Sequence, residues 1–401
     1  MKKSMIHAIS LFVFILAIRA ISCFAAERTI PGGTGNAPQG GTFEKGIVIL
    51  VEFPDVQQNV PRNFIQSRFK QQLPNYVRTV SYNKVSLEFD ITNRWYTLPS
   101  PISNYKISPR NLEVDKSRIK RIIDDSLAVA DADVDFSKYS FVVLFLGVKM
   151  QDYGMVGLCG YPGMLGWDSK DVLTTKSGER IQKGVAIFCY QAHVGTLFHD
   201  VAHILGGVKD GKRMAPCLYD HDLQAKPGPL RQTFEDSLIN MGFWDPMSCH
   251  YYKMGVPPPE PSSWTRIRMG WIDPSKIKVV TPGKTEEVML GPLEDGDSSV
   301  LAIRIPLSPT SYYLIENRQP IGSDKDLPGS GVLIMYADDT IPECRQGRAP
   351  VRLVNADPSV PHLEGAAFDI GKKDIFQDSG NKIKITLKEK IGRSYKILIS
   401  P

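Results

Sequence analysis

The chain has little of what would decide its class at once. Seven histidines and six cysteines in 401 residues leave limited material for metal or redox chemistry. No C-x-x-C pair occurs, which argues against a thiolate zinc ribbon or a thioredoxin-type site. Neither sign of charge dominates: 48 Lys and Arg stand against 43 Asp and Glu. That balance excludes a dedicated nucleic-acid binder, whose basic face would show in the count. The absence of repeats and biased tracts excludes collagen, coiled coil and intrinsic disorder. Beyond the N-terminus, no apolar run is long enough to span a bilayer. What remains is an ordinary globular composition, 42% hydrophobic and 23% charged. The length gives a prior of two to three domains.

The N-terminus reads as a secretory signal over residues 1–26. Lys2 and Lys3 precede an apolar run from Met5 to Ile18, and Ser22, Cys23, Ala25 and Ala26 supply small residues for cleavage. The expectation is a secreted or periplasmic monomer with no membrane attachment after cleavage. Five cysteines then remain: Cys159, Cys189, Cys217, Cys249 and Cys344. Disulfides are open to an exported protein, and an odd number leaves at least one thiol unpaired within the chain. Cys189, inside V-A-I-F-C-Y, reads as a buried small hydrophobe.

Residues 27–45 are Gly-rich and polar, a flexible leading segment. Strand-like runs follow at Gly46–Phe53, Val85–Ile91 and Phe141–Val148. They alternate with helical spacing over Asn63–Val80, where Pro74 threatens a break, and over Asp115–Asp131. From Lys276 the pattern changes to short strands between turns: Glu287–Leu290, Val300–Ile305, Tyr312–Glu316, Val332–Tyr336, Lys382–Lys388 and Tyr395–Ile399. The fold class expected is α+β, with a catalytic domain over 46–275 and a C-terminal β-sandwich over 276–401.

The chemical signal is L-F-H-D-V-A-H-I-L-G-G. His199 and His203 stand one helical turn apart, so both imidazoles project from one face and can share a tetrahedral ion. Spacing alone is weak. Seven histidines in this length give about 0.1 such pairs by chance. The flanking Val201, Ala202, Ile204 and Leu205 suit a buried helix, Gly206 and Gly207 end it, and a carboxylate follows at Asp210.

This stretch, His199 to Asp210, resembles the H-E-x-x-H-x-x-G-x-x-D motif of the immune inhibitor A family of secreted zinc metallopeptidases. Ser81–Pro99, Trp244–Ser248, Pro261–Trp271, Tyr312–Gln319 and Asp326–Tyr336 are similar to further segments of that family. The resemblance covers nearly all of the mature chain. It implies a zincin-like domain with a Met turn at Met247. It also implies hydrolysis of a protein or peptide substrate through a zinc-bound water, with His199 and His203 as ligands. Two departures stand out. Asp200 replaces the family's glutamate, and Lys209 occupies its third-ligand position. Asp210 is the expected third ligand, with Asp220 as the alternative and His221 and Asp222 as outside candidates. Asp200 would be the base. Its side chain is shorter than glutamate by about 1.5 Å, which implies a slow enzyme, a shifted helix, or an inactive relative that still holds metal. Tyr219, His250 and Tyr251 are candidate transition-state stabilisers. Calcium is a second candidate cofactor, through loop acids such as Asp324, Asp338, Asp357, Asp369 and Asp378. The alternative function is an exported, inactive relative that binds a protein or glycan.

Overall fold

The computed structural model describes residues 41–167 and 173–401. The signal segment, and residues 27–40 of the leading segment, lie outside that range. Residues 42–45, expected to be flexible, instead open the first strand.

The first half is built on a five-stranded sheet. Its strands are β1 (Thr42–Glu52), β2 (Val85–Thr97), β3 (Phe141–Leu146), β4 (Gly157–Tyr161) and β5 (Gly184–Cys189). The spatial order is β2-β1-β3-β5-β4. The first four in that order run parallel, and β4 runs antiparallel at the edge. The apolar runs of β1 and β3 do not alternate with polar residues because both faces are covered. Ile47, Ile49 and Val51 pack with Ile119, Ile122 and Leu127 of α3 (Lys116–Ala130). Val48 and Leu50 face the other way, toward Leu73 and Val77 of α2 (Leu73–Val80) and Leu197 and Val201 of α4 (Val194–Gly206).

Pro74 does not break the expected helix. The chain forms α1 (Arg62–Ser67), a wide π turn over Arg68–Gln72, and then α2, in whose first turn Pro74 sits. For α3, Asp115 is the N-cap, accepting from the backbone of Ser117 and Arg118.

The second half holds two sheets. One has the order β8 (Ile277–Val279), β10 (Ala302–Pro306), β11 (Ser311–Arg318), β12 (Gly331–Asp338), β13 (Val351–Leu353). The other has β9 (Glu286–Leu290), β16 (Ser394–Ser400), β15 (Ile383–Ile391), β14 (Ile375–Asp378). Val288, Ile397 and Ile385 from one sheet share a core with Ile303, Ile315 and Ile334 from the other. The opposite face of the first sheet, through Leu314, Leu333 and Met335, joins the core that contains Leu197 and Val201 of α4. The change of pattern at residue 276 thus marks a change of element type, while the apolar core runs on across it.

Charge crosses the same junction. Arg318, at the end of β11, is fully buried. It bonds Glu294, Glu316 and Asp324 and the carbonyls of Trp244 and Glu260. Arg266 of α6 (Ser263–Arg268) pairs with Glu260 beside it. Among the described residues, no helix is long and apolar enough to cross a membrane.

Candidate metal centre

The motif helix α4 is buried along nearly its whole length, as its apolar positions require. His193 is its N-cap: Nδ1 accepts from Gly195 N at 3.0 Å, and Nε2 lies 2.9 Å from Val256 O. Gly207, at φ +60°, stops the helix.

His199 and His203 face each other edge-on, with ring centres 4.7 Å apart. Each is held by a backbone carbonyl at Nδ1: His199 by Pro246 at 2.9 Å and His203 by Ala215 at 2.5 Å. Both Nε2 atoms are thereby aimed at one point, and there they meet Cys217. Its Sγ lies 3.6 Å from His199 Nε2 and 3.5 Å from His203 Nε2. All three residues are buried.

The expected third ligands are elsewhere. Asp210 and Gly211, at φ +51° and +70°, form the two-residue turn of a small hairpin, β6 (Val208–Lys209) with β7 (Lys212–Arg213). Asp-Gly is the dipeptide such a turn favours, and it leaves Asp210 exposed at the tip. Asp220 is buried but spent. One oxygen caps α5 (His221–Gln224) through Asp222 N and Leu223 N, and the other accepts from Gly347 N at 2.7 Å. Asp222 is paired with Arg345. His221 belongs to a neighbouring group with Cys217 and Glu343. Both oxygens of Glu343 are already bonded to Arg213, at 2.8 and 2.9 Å.

Sequence reading missed Cys217, because it was weighed as a disulfide partner. All five described cysteines are free and buried. The signal that would have found it is the same Asp-Gly turn. It returns the chain toward α4, so a residue several positions after the turn, and not one within it, meets the two imidazoles.

Asp200 follows His199 and lies against β4. A side chain at Gly157 would come within 3.0 Å of its Oδ2. That oxygen is buried without a partner. Burial pushes the Asp200 carboxyl up to about 7, against the pull of His199. Burial, with the charge of Arg213, holds His203 down at about 4. Burial opposes ionisation of Cys217, but Arg213, helped by His221, outweighs it and holds the thiol well below its usual range.

A cavity of about 640 Å³ opens over these groups. His199, Asp200, His203 and Cys217 line it, and so do Tyr219, His250 and Tyr251. Tyr219 stacks near His199 and accepts from Asn111. His250 Nδ1 lies 3.0 Å from Thr196 Oγ1, and burial together with repulsion from His199 keeps the ring neutral. Met247 is buried in the main core with Val201 and Leu218, and its carbonyl accepts Leu218 N. The calcium candidates are not gathered: no group of three acids within ligand reach occurs among the described residues. Asp338, Asp357 and Asp378 each close their own turn.

The fit of a metal can be tested on the sulfur–nitrogen distances. Bonds of about 2.3 Å to sulfur and 2.0–2.1 Å to nitrogen, at a tetrahedral angle, set the two atoms about 3.6 Å apart. The observed 3.5 and 3.6 Å match. Carbonyls on Nδ1 are the usual outer support of ligating imidazoles.

No family profile and no curated protein matches the chain. Among solved structures it is similar to metalloproteinase-II from Bacteroides fragilis, at 12% identity and a TM-score of 0.31, over 60% of this chain. The chain spans 56% of the length of that protein. It is also similar to wild-type OgpA from Akkermansia muciniphila, at 11% identity and a TM-score of 0.32, over 79% of this chain and 88% of the other.

Proposed function

We propose that the protein is a secreted, metal-dependent peptide hydrolase of the immune inhibitor A type, with a sandwich as its second domain. Its ion is held by His199, His203 and Cys217. The observation that carries this reading is the convergence of two carbonyl-anchored imidazoles on one buried sulfur at ligand spacing. A mixed nitrogen and sulfur set with tetrahedral spacing favours zinc over hard cations such as calcium.

When bound, a divalent ion supplies Lewis acidity at the scissile carbonyl. The chain's own groups do the rest. Asp200, a lining residue of the cavity with one buried, unpartnered oxygen and a carboxyl near 7, takes and returns a proton near neutral pH. Strand β4 is the outermost of its sheet among the described residues, and Gly157, Leu158 and Cys159 line the cavity. An extended peptide can lie along such an edge. His250, neutral, and the hydroxyls of Tyr219 and Tyr251 are the polar groups available to the developing oxyanion.

Metal analysis of purified protein, joined to casein cleavage by wild type and Asp200→Ala, tests the proposal. Stoichiometric zinc and cleavage lost on chelation, restored by zinc and absent in Asp200→Ala, support it. Bound zinc with no Asp200-dependent cleavage makes the protein a binding module. No bound metal removes the reading altogether.

A further inference from the structure

The ligand loop is not held by the motif domain alone. Glu343 lies between β12 and β13 of the second half, and it grips Arg213 through both carboxylate oxygens, at 2.8 and 2.9 Å. Arg213 in turn points Nη2 at Cys217 Sγ, 3.6 Å away. The guanidinium is 5% exposed and packs over the Trp167 ring at 5.3 Å. Its backbone and that of Met214 are fixed by Arg268, at 2.8 and 2.9 Å. On either side the two halves are stitched again, by Lys212 to Asp339 O at 2.7 Å and by Gly347 N to Asp220.

Resting on the reading of Cys217 as a ligand, we propose that Arg213, anchored by Glu343, is the positioning residue of the sulfur. It fixes where Sγ stands against the two imidazoles, and it draws charge from the sulfur by hydrogen bonding. A thiolate gives a metal more charge than a carboxylate does and so weakens it as a Lewis acid. A guanidinium donating to the sulfur takes part of that charge back. Arg213 also bonds two members, Cys217 and Glu343, of the neighbouring group that His221 completes, and its fixed positive charge there opposes a second cation. The centre therefore holds one ion, and the second half of the chain helps set that ion's chemistry. Outer partners of this kind change metal affinity by about 10- to 100-fold.

The test uses the full chain loaded with Co²⁺ alone. Wild type should show one ion per chain and a near-ultraviolet sulfur-to-cobalt band. Arg213→Met should move that band to longer wavelength, since the sulfur keeps more of its charge. Glu343→Gln should move it less and weaken Co²⁺ binding about 10- to 100-fold. Arg213→Met/Glu343→Leu removes both charges together, which a buried pair tolerates, and should keep the fold while reproducing the shift of Arg213→Met. Variants that fold with the wild-type band and affinity overturn the proposal. A wild-type ion without any sulfur band overturns the ligand set itself, which is a separate failure.

Discussion

At the junction of the two halves, all three nitrogens of Arg318 are bonded to buried acceptors. In the cleft, His199 and His203 bond backbone carbonyls at Nδ1 and meet only the Cys217 sulfur at Nε2, and Asp200 keeps an oxygen with no partner. Both clusters are buried, so burial does not separate a structural site from a reactive one. The difference lies in how the charge is closed. The junction sets Glu260, Glu294, Glu316 and Asp324 against Arg266 and Arg318. Burial, reinforced by Asp324, pushes the Glu294 carboxyl well above its usual range, and burial raises Glu260 as well, so protons on the carboxylates close that balance. In the cleft two imidazole nitrogens and a sulfur face one another at ligand spacing, a set that a metal closes better than a proton.

Breaking the cleft should have the largest effect. His199→Ala, His203→Ala and Cys217→Ser should each lower zinc affinity more than about 100-fold, the upper end of what outer partners alone cost. Calorimetric titration reads this directly. At the junction, Arg318→Met leaves buried carboxylates uncompensated and should cost about 3–5 kcal/mol in urea unfolding, with zinc affinity unchanged.

Glu294→Gln sharpens the contrast. The folded protein holds the Glu294 proton more tightly than the unfolded chain does. Its contribution is therefore fully present below the unfolded value near 4.5 and is lost as pH rises. Wild type should lose up to about 1.4 kcal/mol per pH unit above that point relative to Glu294→Gln, measured by unfolding across a pH series. The smallest effect belongs to Asp210→Asn at the hairpin tip. It should leave zinc affinity unchanged and stability within about 0.5 kcal/mol in the same titration and unfolding assays.

That last residue also marks where sequence reading ran out. Helices α3 and α4, the apolar strands and the short strands after residue 276 were legible because their periodicity is local. The His199 and His203 pair was legible because one helical turn fixes it. Asp210 is expected as the third ligand from motif spacing, but the turn chemistry of Asp-Gly puts it at an exposed hairpin tip. Cys217 and Arg213 lie beyond that turn, and Glu343 lies 130 residues after Arg213. Only the packing of the two halves brings them together. The segments Pro261–Trp271 and Tyr312–Gln319, singled out through the family resemblance, carry Arg266, Glu316 and Arg318 of the junction. Their residues join the halves, and none of them lines the cavity.

X-ray absorption at the zinc edge of the loaded protein tests the centre most directly. One sulfur at about 2.3 Å with two imidazole nitrogens at about 2.0–2.1 Å is expected. A shell of nitrogen and oxygen alone would contradict Cys217 as the third ligand.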